Sequence, residues 1–295
     1  MSSLSGFLIL DKPVGCTSHD CVSWVRRCLG LRPVGHGGTL DPDATGLLPM
    51  AVGKATRLLP YLSGDKAYEG TITLGLQTST DDLSGDVLQR RSVPHLRAGD
   101  LEQALAGFSG TIHQRPPAVS AIRVNGQRLY SKARRGEVVV APERQVVIHS
   151  LELLHWESPQ LTIRVRCGAG TYIRSIARDL GEALGCGGTM ASLRRTEAMG
   201  FGLHQAVTLS QLQMHQSPAT LVQDAKQPLL TRYPQYQLSP AEYHPWRCGQ
   251  SLAIPTAFSV GQVVVVLNPD GVLAGMATIK SPAQLQPKLV LEPRS

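Results

Sequence analysis

Residues Leu161 to Cys167 alternate without a break. Leu161, Ile163, Val165 and Cys167 are apolar, while Thr162, Arg164 and Arg166 are polar or charged. A period of two sends successive side chains to opposite faces, so the run predicts a half-buried strand with a basic outer face. Gly168-Ala169-Gly170 then breaks the pattern. From about Thr171 to Leu184 the period becomes helical, with Ile173, Ile176, Leu180 and Leu184 on one stripe and Arg174 and Arg178 off it. Gly185 closes that helix.

Other elements follow the same logic. Gly6 to Leu10 reads as a short strand ending in the turn Asp11 to Gly15. A helix fits Ser18 to Leu29, with Ser18 as cap, Val22, Val25 and Leu29 on one face, and Gly30 at the C-terminal cap. Arg32 to Gly46 holds four glycines and two prolines in fifteen residues and has no period, so it reads as a loop. Lys66 to Leu74 alternates again, with Tyr68, Ile72 and Leu74 on one face. Asp100, with Gln103 as partner, predicts a capped helix through Phe108. Lys226 to Pro234 reads as a linker. Beyond it lies a β-rich tail with strands at Val263–Leu267 and Lys288–Leu291 around the Asn268-Pro269-Asp270-Gly271 turn.

Composition narrows the setting. The longest aliphatic run is five residues, Val263 to Leu267, against the roughly 20 that a membrane-spanning helix needs. No basic residue precedes Phe7-Leu8-Ile9-Leu10, so no signal peptide is expected and the chain reads as cytoplasmic. The 29 Lys and Arg exceed the 22 Asp and Glu, a net charge of +7 that suits a polyanionic partner without requiring one. Six cysteines with no C-x-x-C pair predict reduced thiols and neither a disulfide framework nor a zinc site. Between Pro116 and Arg135 stand Arg123, Arg128, Lys132, Arg134 and Arg135 with no acidic residue. That is either a solvated basic face or an arm laid along a phosphate backbone, and the interleaved Tyr130 favours the arm.

Gly35-His36-Gly37-Gly38 lacks the lysine of a Walker loop, and Asp41 and Asp43 have no His or Cys cluster to complete a metal site. His204, His215 and His244 show no ligand spacing and are expected on the surface. The longer run from Gly35 to Pro49, GHGGTLDPDATGLLP, closely resembles the catalytic loop of pseudouridine synthases of the TruB type. Further words match in order: Leu10-Asp11-Lys12-Pro13-Val14-Gly15, Gly53-Lys54-Ala55-Thr56-Arg57, Asp65-Lys66-Ala67-Tyr68, Gly170-Thr171-Tyr172-Ile173-Arg174-Ser175-Ile176 and Leu193-Arg194-Arg195. The resemblance spans roughly residues 6 to 215 and implies isomerisation of uridine 55 in the T loop of tRNA.

The resemblance also implies an α+β architecture. Its parts would be a mixed, largely antiparallel sheet with flanking helices over residues 1–230, a thumb-like RNA-binding insertion at about 115–145, and a small PUA-like domain over 231–295. It makes Asp41, Tyr68 and Arg174 catalytic, with Asp82 sharing the arginine. His36 would fill the space left by the flipped base or buttress the loop, and Lys12, Tyr172 and Leu193 would line the uracil pocket. Arg123, Arg128, Lys132 and Arg134 fall to the RNA backbone. The expected partner is the tRNA T stem-loop, met by a monomer without guide RNA, cofactor or metal; the chain carries no long lysine-rich tail. Val119 stands where an aromatic is common, Arg123 where lysine is usual and Ser79 where aspartate often stands, departures that concern RNA contact and not the chemistry.

The chemistry asks for an ionised carboxylate near an oxocarbenium-like carbon, as in glycoside hydrolysis. Asp41 fits, whether it attacks C1′ or removes the C2′ proton. Arg174 is expected to orient Asp41 through its planar fork and to lower its pKa. Tyr68 is expected to stack on the uracil and assist removal of the C5 proton. Two other readings compete: an RNA-folding protein with catalysis secondary or absent, and a nucleoside hydrolase that would release uracil.

Overall fold

The computed structural model describes residues 4–119, 123–124, 127–128, 141–255 and 258–292. Strand β1, Gly6–Lys12, is buried at every position but Asp11. Its apolar run is covered on both faces. Phe7 and Ile9 enter one core cluster, while Leu8 and Leu10 enter another beneath helix α1, Ser18–Leu29. The helix has the expected bounds but a different cap. Thr17 accepts from the Asp20 amide and Asp20 reciprocates on the Thr17 amide, a capping box, while Ser18 is buried and bonds Leu40. Gly30 ends the helix at φ 63°, a left-handed position that glycine adopts freely. Cys16 and Cys21 flank the cap with sulfurs 3.9 Å apart, packing as its apolar staple. All six cysteines are free.

Seven further strands join β1: β2 (Thr45–Val52), β3 (Lys66–Leu74), β4 (Gly110–Gln114), β5 (Arg144–Glu157), β6 (Gln160–Cys167), β7 (Gly188–Ala198) and β8 (Val207–Thr208). Their order is β8-β1-β2-β7-β3-β6-β5-β4. All neighbours run antiparallel except β1 with β8 and β2 with β7. Short strands Val34–His36 and Phe201–Gly202 attach to β2 and β7. The sheet is therefore mixed and largely antiparallel, as expected.

Helices α2 (Ala98–Ala106) and α3 (Ile173–Ala183) share a core with one face of this sheet. Ile173, Ile176 and Leu180 meet Tyr68 and Ile72 of β3 and Leu161, Ile163 and Val165 of β6. The basic outer face of β6 is real, and Arg164 there pairs with Glu69 of β3 at 2.9 Å. Arg97 is the N-cap of α2, and Asp100 sits three residues inside it, accepting from the Arg97 amide, so Asp100 is not the cap.

The Lys226 to Pro234 segment is not a free linker. It forms a short helix, Lys226–Leu230, whose Leu229 is buried, and Tyr233 donates to the Tyr61 carbonyl at 2.9 Å. A second sheet follows, built from β9 (Gln235–Gln237), β10 (Leu252–Ala253), β11 (Val263–Leu267), β12 (Leu273–Ser281) and β13 (Gln284–Val290) in the order β9-β11-β12-β13-β10. The partner of β11 across the Asn268–Gly271 turn is β12, not the Lys288–Leu291 run. One side of this sheet closes over Trp246, which is fully buried, and the other packs Val265, Met276 and Leu289 with Phe7 and Ile9. Among the described residues no helix is long and apolar enough to cross a membrane. Within the basic arm, Arg123 and Arg128 are paired positions of a two-stranded ladder; Tyr130, Lys132, Arg134 and Arg135 lie outside the described residues.

Thr17→Ala deletes one half of the capping box and is expected to cost about 1 kcal/mol. Urea unfolding checks this, with secondary structure unchanged at zero denaturant.

Candidate active site

The irregular run after α1 is tied down at almost every residue. Gly37 donates its amide to the Pro49 carbonyl at 2.8 Å, and Ser18 bonds both the amide and the carbonyl of Leu40. Lys12 Nζ donates to Pro42 O at 3.0 Å, and Gly15 donates its amide to the same oxygen. Arg195 Nη2 donates to Gly38 O at 3.1 Å and Nε to Leu47 O at 2.7 Å. Lys12 and Arg195 are both 0 % exposed. Gly46 closes the loop at φ 99°, where a Cβ would stand 2.3 Å from the Arg195 carbonyl, so no other residue fits.

Asp41 projects from this loop toward Arg174, the second residue of α3. Arg174 Nε lies 3.0 Å from Asp41 Oδ2 and Nη1 3.2 Å from Asp82 Oδ2. Nη1 also donates to Thr80 O at 2.7 Å, and Nη2 to Val119 O at 3.0 Å. The guanidinium is thus shared between two carboxylates and two carbonyls. It is not forked on Asp41, and its Nε contact lacks hydrogen-bond alignment. Asp82 is fixed in turn by Thr80 and Ser84. Asp81 before it adopts φ 60° and is held by Arg178 at 2.8 Å. The Arg174 side chain is itself buried, 6 % exposed.

The electrostatics differ from expectation in one respect. Burial raises the Asp41 pKa more than Arg174 lowers it, and Asp82 and Asp43 push it further up. Arg174 does lower the Asp41 pKa, as expected, but the net shift is upward because desolvation is the largest cause. The carboxylate nevertheless remains 43 % exposed at the mouth of the cleft. Burial also raises the Tyr68 phenol, against the pull of the Arg195 guanidinium beside it.

Two cavities meet at Asp41. One of about 270 Å³ is lined by Asp41, Lys66, Tyr68, Arg144, Tyr172 and Leu193. The other, about 420 Å³, is lined by Asp82, Leu83, Ser84 and Met190, and Asp41, Arg174 and Leu193 line both. A larger groove of about 880 Å³ beside Arg166, His204 and Arg232 does not reach Asp41. Tyr172 is clamped at both backbone polar atoms by the Gln114 amide, and the Arg144 guanidinium carbon lies 4.9 Å from its ring centroid.

The structure brings together Asp41, Tyr68, Arg174, Asp82, Tyr172 and Leu193. It does not bring Lys12 or His36 to either cavity. Lys12 is sealed beneath the loop, and His36 sits on the short strand paired with Met50, where burial and Arg195 pull its imidazole toward the neutral form. Lys66, Arg144 and Arg195 had no assigned role. Lys66 and Arg195 stand inside matching words; Arg144 carries no sequence signal.

This fold and carboxylate site define a pseudouridylate synthase. The family model described as TruB family pseudouridylate synthase (N terminal domain) matches residues 26–173, and that described as tRNA pseudouridylate synthase B C-terminal domain matches 174–243. The chain belongs to the TruB family. It is 53% identical to the tRNA pseudouridine synthase B of Parasynechococcus marenigrum (strain WH8102) over 97% of both chains. It is 51% identical to that of Synechococcus sp. (strain WH7803) over 100% of both. Among solved structures it resembles a Cbf5-Nop10-Gar1 complex with TM-score 0.76 at 26% identity, covering 98% of this chain and 85% of that one. It also resembles an H/ACA RNP bound to a substrate RNA containing 2'-deoxyuridine, with TM-score 0.75 at 25% identity, covering 98% and 86%.

If the Asp41 anion is the working form, activity falls as pH drops through its pKa, and the acid limb lies above the ordinary carboxylate value of 3.8. Asp82→Asn and Asp43→Asn each remove a negative neighbour, so each is expected to move that limb to lower pH. Single-turnover rates measured across pH check the sign.

Proposed function

We propose that the chain converts uridine to pseudouridine at position 55 in the T loop of tRNA, as a cytoplasmic monomer without guide RNA. The observation that carries this reading is a carboxylate at the junction of two cavities, oriented by a buried guanidinium that a second carboxylate shares. The reaction breaks N1–C1′, turns the uracil and joins C5 to C1′. No atom is gained or lost overall, so the balance requires no redox or group-transfer cofactor. The uridine must leave its stack, because a stacked nucleotide offers neither carbon to a side chain; extrusion costs a few kcal/mol and least in a loop.

Asp41 then either bonds C1′ or takes the C2′ proton, and both routes use the anion. Its partial desolvation makes that anion more reactive, while Arg174 fixes its direction. The ring of Tyr68 gives the uracil a stacking surface. The raised pKa of its phenol favours stacking and hydrogen-bond donation over action as a phenolate base. Tyr172 and Leu193 complete the apolar walls. His36 and Lys12 serve the same chemistry from behind the loop, Lys12 through Pro42.

The basic arm at about 115–145, with Arg123, Arg128, Lys132 and Arg134, is assigned to the RNA backbone, and residues 231–295 to a separate RNA-binding unit. The relatives named tRNA pseudouridine synthase B support tRNA as the substrate.

Tritium release from a T stem-loop carrying 5-tritiated uridine tests the proposal. Asp41→Asn is expected to reduce release to background while leaving RNA binding nearly unchanged. Free uracil in the product would instead indicate a hydrolase, and full RNA remodelling by Asp41→Asn without any wild-type tritium release would indicate an RNA-folding protein.

A further inference from the structure

Lys66 has no part in the chemistry described so far, yet it faces the reaction. It precedes Tyr68 by two residues on β3, so both side chains leave the same face of the strand, and both line the smaller cavity. The carboxylates nearest in sequence are engaged elsewhere. Asp65 lies 3.1 Å from His149 Nε2, and Glu69 accepts from Arg164 at 2.9 Å. Among the described residues the Lys66 ammonium has no hydrogen-bond or ion-pair partner. Its company is another cation: a Cβ placed on Gly38 would stand 3.7 Å from Lys66 Nζ and 3.6 Å from Arg195 Nη1.

The cleft is therefore polarised. Asp41 and Asp82 bracket Arg174, and Lys66, free of carboxylate contacts among the described residues, lines the smaller cavity with the buried Arg195 guanidinium nearby. Holding an ammonium there is unfavourable in the empty cleft, since burial and Arg195 both disfavour its charged form. A bound group that becomes negative would reverse that penalty.

The proposed isomerisation makes such a group. When N1–C1′ breaks, its electron pair departs with the base, leaving a uracil anion whose charge spreads over N1, O2 and O4. C1′ is left electron-poor and is met by Asp41. We infer that Lys66 is a catalytic residue whose ammonium donates a hydrogen bond to a uracil carbonyl oxygen and stabilises the departing uracil anion. This rests on the uridine-isomerase reading above. No bond forms to Lys66 and its proton stays in place; the negative charge is discharged when C5 bonds C1′ and Asp41 is restored, by release from C1′ or return of the C2′ proton, after which C5 loses its proton and N1 gains one. Turning the ring about its N3–C6 axis exchanges O2 and O4, so one donor at this corner meets an oxygen before and after the turn. Burial that lowers the ammonium's pKa also makes it a stronger donor.

Single-turnover rates at saturating RNA test this, with uridine or 5-fluorouridine at the target position and nuclease digestion with mass spectrometry as the readout. Fluorine stabilises the uracil anion by itself, so the enzyme's donor matters less. Lys66→Met is expected to slow uridine conversion about 100-fold, the loss typical of one donor to developing charge. RNA affinity should be unchanged, the deficit on 5-fluorouridine markedly smaller, and Lys66→Arg partly active. Lys66→Gln, a neutral donor of similar length, carries the same comparison if the methionine variant melts early.

An unchanged rate would overturn the inference. So would weakened RNA affinity at an unchanged saturated rate, which marks a phosphate contact, or an equal deficit on both bases, which marks packing. Wild-type enzyme assayed in parallel separates these results from failure of the isomerase reading, which would appear as no pseudouridine at all.

Discussion

Lys12 and Arg195 are fully buried cations, and neither touches a carboxylate among the described residues. Burying charge in this way is costly unless oxygen ligands replace water. Here most ligands are backbone carbonyls of one short segment, Pro42 for Lys12 and Gly38 and Leu47 for Arg195, with Pro13 as a second acceptor for Lys12. The two groups depend on each other. A loop that lifted away would strip Arg195 of its carbonyl ligands and cost Lys12 one of two, so displacing the segment that carries Asp41 is unfavourable. A carboxylate placed this way does not have to be ordered when a ligand arrives, which is the main source of advantage in a preorganised site.

The same constraint explains how a partly desolvated aspartate is kept useful. A carboxylate with Arg174 to itself would be more deeply ionised and less reactive. Asp82 takes part of that guanidinium, and Thr80 and Val119 carbonyls take more. Arg174 therefore fixes the direction of Asp41 without fully quenching its charge. The site trades some ionisation for reactivity, and the rise in the Asp41 pKa is the signature of that balance.

Much of this was legible from sequence wherever the cause was local. The alternation at Leu161 to Cys167 and the stripe on α3 gave the strand, the helix and their shared core, since each depends on residues two to four apart. Glycine and proline density marked the loop before Asp41. Long-range dependence was hidden: Lys12 meets Pro42 across 30 positions and Arg195 meets Gly38 across 157, and no period encodes either. Strand β12 escaped for a different reason. It is covered on both faces, so its residues do not alternate, and the turn before it pointed to the wrong partner. The sign of the Asp41 shift was missed because sequence counts charges and says nothing of the water removed from them.

Burial at the loop also ties the second sheet to the chemistry. Strand β1 ends at Lys12, and its register against β2 sets where that ammonium lies. Leu8 and Leu10 lean on α1, but Phe7 and Ile9 lie in the cluster on the other side, which Leu58, Leu62, Met276 and Leu289 also enter. Stripping the second sheet from that cluster would expose its own Met276 and Leu289, each worth about 1.5–3 kcal/mol of burial. The strand whose last residue holds Pro42 draws on the same cluster. The C-terminal sheet thus reaches the position of Asp41 through a shared core: Met276 and Leu289 lie in one cluster with Ile9, β1 runs on to Lys12, and Lys12 holds Pro42 beside the carboxylate. The inner face of that sheet therefore belongs to the same core as the strand that anchors the loop carrying Asp41.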